Sequence, residues 1–156
     1  MHSVFFYQTG IGKIGIAELR GAISNLYFQE EQIPCSNTIL ETDLLKEASR
    51  QLQDYLAGKL IEFDLPLAPA GTEFMQRVWS SLRNIPYGET RSYQEIAQDV
   101  GNVKAARAVG LACNRNPIPI FIPCHRVIGA GGKLTGYRGG LKIKANLLGL
   151  EKLGNI

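Results

Sequence analysis

The run Ser92-Tyr93-Gln94-Glu95-Ile96-Ala97-Gln98-Asp99-Val100-Gly101-Asn102-Val103-Lys104-Ala105-Ala106-Arg107-Ala108-Val109-Gly110-Leu111-Ala112-Cys113 decides how the second half of this chain folds. Ser92 suits a helix N-cap, and Glu95 three residues on completes the pattern of a capping box. The helix that opens there is predicted to end near Val100, before Gly101-Asn102. A second helix is predicted over roughly Val103–Cys113. Two short helices joined by a tight glycine turn match a helix-turn-helix.

Upstream, Thr72 can cap a helix to about Arg83, with Phe74, Val78, Trp79 and Leu82 on its apolar face, and Pro86-Tyr87-Gly88 reads as a turn. Before that, Leu65-Pro66-Leu67-Ala68-Pro69-Ala70-Gly71 reads as a linker, which divides the chain into residues 1–69 and 70–156. The first 30 residues read as an antiparallel meander: Val4–Gln8, Lys13–Leu19 and Ala22–Phe28, separated by Thr9–Gly12 and Arg20-Gly21. From Thr38 the period changes. Leu40, Leu44, Leu45, Ala48, Leu52, Tyr55 and Leu56 recur at three- and four-residue steps, predicting an amphipathic helix ended by Gly58. The expectation is an α+β chain, an N-terminal α/β part followed by a mostly helical one.

With 156 residues, 45% hydrophobic and 20% charged, the chain can bury one sizeable core or two small lobes. It carries no apolar run of membrane-spanning length and no secretory signal pattern at its start, so an intracellular protein is expected. Cys35, Cys113 and Cys124 are odd in number and widely spaced, which fits a reducing compartment better than a disulfide framework. Without a C-x-x-C pair, and with His2 and His125 far apart, zinc is not expected. The net charge of +3 is unevenly spread. Residues 1–69 hold 5 Lys and Arg against 9 Asp and Glu, a balance of −4; residues 70–156 hold 12 against 5, a balance of +7. A basic half beside an acidic one is compatible with a bound polyanion and with ordinary surface scatter. The small residues of Lys104–Gly110 suit close approach to another helix or to a DNA groove, with Lys104 and Arg107 turned to phosphates or bases.

Asn114-Arg115-Asn116-Pro117-Ile118-Pro119-Ile120-Phe121-Ile122-Pro123-Cys124-His125-Arg126-Val127 follows. Three prolines within seven residues stiffen the path to a Cys-His pair. A lone cysteine is commonly a buried structural residue. Here an imidazole and two arginines of the same segment, Arg115 and Arg126, are expected to lower the thiol pKa from about 8.5, at which only a few per cent is thiolate near neutrality. His125 is the one conventional imidazole base for Cys124, acting through a bridging water because adjacent residues rarely face each other. Glu151, the one carboxylate after Asp99, is by elimination the candidate to orient it.

Pro123-Cys124-His125-Arg126-Val127 resembles the active-site signature of the O6-alkylguanine-DNA alkyltransferases, or methylated-DNA–protein-cysteine methyltransferases. The resemblance includes Ser92-Tyr93-Gln94, the Gly101–Gly110 helix-turn-helix, Asn116-Pro117 and Gly136-Tyr137, and covers about residues 72–151. It implies an N-terminal ribonuclease-H-like α/β domain without catalytic duty and a C-terminal winged helix-turn-helix domain with the active site. It implies double-stranded DNA carrying O6-alkylguanine as partner, with O4-alkylthymine as a further candidate substrate, bound through the minor groove with the damaged base flipped out. Cys124 would take the alkyl group irreversibly and each molecule would act once, as a monomer in the cytoplasm (or in the nucleus, if the source is eukaryotic), without metal or organic cofactor.

By the same resemblance Arg107 is the finger that fills the vacated stack, and Tyr93 crowds the phosphate and hydrogen-bonds N3 of the flipped base. Gln94, Asn102, Ala105 and Ala106 join them at the DNA. Asn116 braces the recognition helix against the active-site turn. Tyr137, Pro119, Val127 and Arg138 line the alkyl pocket, where Arg138 departs from the small residue of some members and either narrows the pocket or contacts phosphate. The zinc-binding residues found in the N-terminal part of some members are absent, and Cys113 reads as packing. The competing readings are a DNA-binding module without chemistry, a cysteine hydrolase and a thiol redox switch. The first lacks a reason for the retained cysteine. The second must explain a DNA-binding motif beside the nucleophile, and the third has no resolving C-x-x-C.

Overall fold

The computed structural model describes residues 2–154. The chain divides into two compact units, Met1–Ala70 and Gly71–Ile156.

In the first unit, β1 (Ser3–Thr9), β2 (Gly12–Leu19) and β3 (Ala22–Tyr27) form the antiparallel meander, with Val4 opposite Ala17 and Ile16 opposite Leu26. Arg20 (φ 53°) and Gly21 (φ 81°) both take positive φ, the geometry a two-residue hairpin needs to match the strand twist. A fourth strand, β4 (Thr38–Ile39), lies parallel to β1 and gives the order β3-β2-β1-β4.

This strand corrects the expectation of a helix from Thr38. The edge of β1 offers backbone acceptors, and Thr38 and Leu40 donate their N–H groups to the carbonyls of His2 (2.9 Å) and Val4 (3.0 Å). Leu40, placed in the apolar stripe by its spacing, is 53% exposed. The helix α1 (Asp43–Leu56) starts once the Thr42 hydroxyl accepts from Leu45 N at 3.1 Å. It buries Leu45, Ala48, Leu52 and Tyr55, and Gly58 follows at φ 77°. Part of the expected linker also belongs to the sheet: Ile23 N donates to Pro66 O and Ala68 N to Ile23 O, each at 2.8 Å.

The second unit holds α2 (Glu73–Arg83), α3 (Tyr93–Asp99), α4 (Ala106–Asn114) and α5 (Leu141–Gly154). A parallel pair of short strands, β5 (Arg91–Ser92) and β6 (Val127–Ile128), ties the start of α3 to the segment after Cys124. Thr72 caps α2 and Ser92 caps α3 in a full capping box with Glu95. The helix α4 begins three residues later than its composition suggests. Ala105 N donates to Asn102 O, Lys104 N to the Asn102 side chain and Gln94 Nε2 to Val103 O, so residues 102–105 form a hydrogen-bonded turn, not helix. Gly101 makes the bend at φ 84°.

Trp79 fixes α2 against α4. Its ring is 1% exposed and its indole N–H donates to Ala112 O at 2.9 Å. Truncating such a ring to alanine costs about 3–5 kcal/mol.

Candidate active site

The site grows from the loop between α4 and β6. Asn116 is 1% exposed; its Nδ2 donates to Ile122 O at 2.9 Å and its Oδ1 accepts from Ile118 N at 3.0 Å. One side chain thus closes both ends of the proline-rich turn. Ile120 at its tip has φ 75°, a left-handed conformation that costs a β-branched residue about 1–3 kcal/mol. Burial of Ile118, Ile120 and Ile122, all at most 1% exposed, holds it there. Cys124 then opens a single 3-10 turn, Cys124–Arg126, with its N–H on Ile122 O at 2.8 Å.

Cys124 is 6% exposed. Burial pushes its thiol above the usual cysteine range, while a side-chain hydrogen bond from Asn116 and the positive charges of Arg138 and Lys144 pull it back. The expectation of a lowered thiol pKa is therefore corrected: desolvation outweighs the cations, and the resting group is the neutral thiol. The cations differ from those expected too. Arg126 is engaged elsewhere, its Nε and Nη2 gripping Glu151 at 2.8 and 3.0 Å and its Nη1 donating to Ile85 O at 2.6 Å.

His125 is fully buried, with Nε2 2.7 Å from Glu151 Oε2. Burial lowers its pKa, with Glu151 opposing and Arg126 and Lys144 adding to the fall. A neutral imidazole beside a carboxylate carries its proton on the nitrogen facing it. Nε2–H therefore donates to Glu151 and Nδ1 is the acceptor. Glu151, 1% exposed on α5, also accepts from Gly88 N at 3.4 Å. Because Arg126 neutralises the carboxylate and also fixes it bidentately, Glu151 can hold a neutral histidine in one tautomer and one orientation.

Tyr93, the first residue of α3, places its hydroxyl 2.6 Å from Thr135 Oγ1. Its phenol pKa is raised mainly by burial, and the Thr135 bond lowers it. Arg138 donates from Nη1 to Asn116 O, so its guanidinium braces the active-site turn, and this contact favours neither phosphate binding nor a free side chain.

Two residues of this network have no place in the sequence reading. Lys144 is 1% exposed, donates from Nζ to Thr135 O at 3.0 Å and has its pKa lowered by burial against the pull of Cys124 and Cys113. Its signal was spacing: Lys144, Leu147 and Glu151 fall at i, i+3 and i+7, the buried face of α5. Thr135 had no such signal, since only the folded loop brings it to Tyr93.

The remaining predicted residues are spread over the unit. Arg107, Gln94 and Asn102 are exposed on α4, α3 and the turn between them. Ala106 is half-buried, whereas Ala105 is 8% exposed and turned into the fold. Tyr137 is half-buried and precedes Arg138. Pro119 is buried in the turn, bridged to Ile122, and Val127 is fully buried in β6. Cys113 is a free cysteine whose thiol burial pushes far above the usual range. Among the described residues no cluster of three or more His, Cys, Asp or Glu is arranged to hold a metal, and no helix is long and apolar enough to cross a membrane. A cavity of about 460 Å³, lined in part by Ser81, Ile85, Glu95 and Asp99, includes none of Cys124, His125, Glu151, Tyr93 and Asn116.

A buried cysteine next in sequence to a carboxylate-oriented histidine, one loop after a helix-turn-helix, is the arrangement expected of a DNA-binding class of protein with a reactive thiol. Residues 73–153 match the family described as "6-O-methylguanine DNA methyltransferase, DNA binding domain", and residues 5–69 its "ribonuclease-like domain". The chain belongs to the 6-O-methylguanine DNA methyltransferase family, and its α+β architecture is that family's ribonuclease-like unit followed by its DNA-binding unit. It is 53% identical to the methylated-DNA–protein-cysteine methyltransferase of Methanosarcina acetivorans over 148 residues, 93% of this chain and 95% of that one. It is 48% identical to the constitutive methylated-DNA–protein-cysteine methyltransferase of Bacillus subtilis over 153 residues, 94% and 93% of the two chains. The crystal structure of Mycobacterium tuberculosis OGT in complex with DNA superposes with a TM-score of 0.92 at 48% identity, covering 97% of this chain and 94% of that one.

Proposed function

We propose that this protein repairs alkylated DNA by moving the alkyl group of O6-alkylguanine onto Cys124. The observation that carries the reading is the buried His125–Glu151–Arg126 chain, which holds a histidine of lowered pKa in one orientation next in sequence to buried Cys124. His125 Nδ1 takes the thiol proton through one water, and the sulfur attacks the alkyl carbon. A C–S bond forms and the C–O6 bond breaks. The guanine leaves with its charge on the ring and is neutralised by the Tyr93 proton at N3; the phenolate is then reprotonated by the proton that His125 took from the thiol. Overall, the thiol proton ends on guanine and the alkyl group on sulfur. Reversal would have to expel a thiolate from the S-alkyl thioether, a poor leaving group, so each molecule reacts once and needs no cofactor.

Asn116, Arg138 and Lys144 favour the developing thiolate, as their effect on the resting thiol supports. Exposed Arg107, Gln94 and Asn102, with Ala106, form the face toward the minor groove, and Arg107 takes the place of the flipped base. Tyr137 and Pro119 form opposite walls of the alkyl pocket, with Val127 and Arg138 completing its lining. The protein acts as a monomer in the cytoplasm, where a reducing environment keeps the nucleophile as a thiol.

The test is the intact mass of the protein after mixing with a duplex carrying one O6-methylguanine. A gain of one methyl group, mapped to Cys124 and absent in Cys124→Ala, is expected. Tight binding without a mass change would assign the protein to damage recognition alone.

A further inference from the structure

We propose that Thr135 is a positioning residue that sets the direction of the Tyr93 proton. The proposal rests on the repair function above, in which Tyr93 faces N3 of a flipped guanine. The two hydroxyls are 2.6 Å apart, and only one proton can lie between them. If Tyr93 donates to Thr135, its proton is used there and a base nitrogen meets only oxygen lone pairs. If Thr135 donates to Tyr93, the phenol proton is left for the base. The hydrogen bond it receives also stabilises the phenolate that develops as the proton leaves.

Both partners are held in place, and the Thr135 bond lowers the Tyr93 phenol pKa, as a bond that favours the phenolate does. The Thr135 carbonyl accepts from the buried Lys144 ammonium at 3.0 Å, which anchors its backbone. Its methyl lies over Gly129, where an added β-carbon would come within 3.1 Å of it, so the absence of a side chain at 129 is what leaves the methyl its place. The loop beneath is closed by Gly129 N on Lys133 O at 2.7 Å. The Tyr93 ring lies over Gly110 of α4, where a β-carbon would meet it at 3.7 Å. The ring is thus placed by the recognition helix and the hydroxyl by the loop 129–135. Thr135 couples the helix that meets DNA to the residue that finishes the chemistry.

The experiment measures single-turnover methyl transfer to the full-length protein from two duplexes, one with O6-methylguanine and one with its 3-deaza analogue, which has no N3 acceptor. Thr135→Val keeps the shape and the methyl but removes the donor. It is expected to slow transfer from O6-methylguanine about tenfold, the effect of one lost hydrogen bond to a developing charge. Transfer from the 3-deaza lesion should change less than twofold. Thr135→Ser, which keeps the donor, is expected to restore most of the rate on O6-methylguanine, and Thr135→Val in a Tyr93→Phe background should add no further loss. Equal slowing on both lesions, additivity with Tyr93→Phe, or no effect of Thr135→Val would overturn the proposal. Should Thr135→Val not fold, by circular dichroism, Thr135→Ser decides: a rate on O6-methylguanine within threefold of the parent supports the proposal, and a larger loss overturns it. A parent protein that transfers no methyl group would instead overturn the repair function itself.

Discussion

Glu151→Gln separates what holds this site together from what makes it react. The Glu151 carboxylate accepts from four N–H groups: His125 Nε2, Arg126 Nε and Nη2, and Gly88 N. Glutamine has nearly the same shape, but its amide nitrogen must point hydrogens at one set of these donors. More importantly, it leaves the Arg126 guanidinium, 7% exposed, without a counter-charge. Breaking a buried ion pair from one side costs about 3–5 kcal/mol, against a total stability of about 5–15 kcal/mol. The urea midpoint should fall accordingly, and methyl transfer should slow at least tenfold because His125 loses its orienting partner. Replacing both partners by apolar residues, Arg126→Met with Glu151→Leu, removes both charges together. Such exchanges are often neutral or stabilising by about 1–4 kcal/mol, so this variant should recover most of the stability and none of the activity. Urea titration and single-turnover transfer on the same preparations give the two quantities. A Glu151→Gln protein within about 1 kcal/mol of the parent would refute the buried-pair argument. A double variant that transfers methyl at the parent rate would refute the role given to Glu151.

Asn116→Ala leaves the Ile118 N–H buried without its present partner, at about 1–3 kcal/mol, takes one of two donors from the Ile122 carbonyl, which keeps Cys124 N–H, and removes a donor to Cys124; a lower thermal midpoint and slower transfer together are expected. Acid should destabilise the protein through His125, whose folded pKa lies below its usual 6.5. The unfolded chain takes up that proton first, so stability holds above about pH 6.5 and falls as the pH drops below it; urea midpoints at pH 7.5 and 5.5 check this, and a His125→Gln protein should show a shallower decline. Iodoacetamide at pH 7 should label exposed Cys35 before buried Cys124, with Cys124 labelling rising as the pH is raised; peptide mapping that finds Cys124 labelled first at pH 7 would contradict the neutral resting thiol.

The elements near the surface of the sequence signal were the legible ones. The meander, the Thr72 and Ser92 caps and the glycine turn at Gly101 depend on residues a few positions apart, and local chemistry decides them. Thr38–Leu40 misled because periodicity cannot see an open strand edge: the backbone of this segment pairs with β1 and so lies outside the helix. The start of α4 misled similarly, since alanines favour helix but the Asn102 side chain and carbonyl claimed the N–H groups of Lys104 and Ala105. At the site, Cys124 and His125 were marked by adjacency. The approach of Glu151 to His125 within 2.7 Å spans 26 residues and needed the packing of α5.

By itself the sequence determined the chemical identities: a cysteine beside a histidine on a proline-stiffened loop, a small-residue helix with an arginine, and a single late carboxylate. Tertiary structure decided what those groups are electrically. Burial raised the Cys124 thiol and kept His125 neutral, Arg126 became the clamp on Glu151 and not an activator of sulfur, and Lys144 and Thr135 were drawn in from a helix and a loop that carry no motif. The physical reason is that a pKa depends on solvent access and on charges within a few ångströms, and neither exists until distant segments pack.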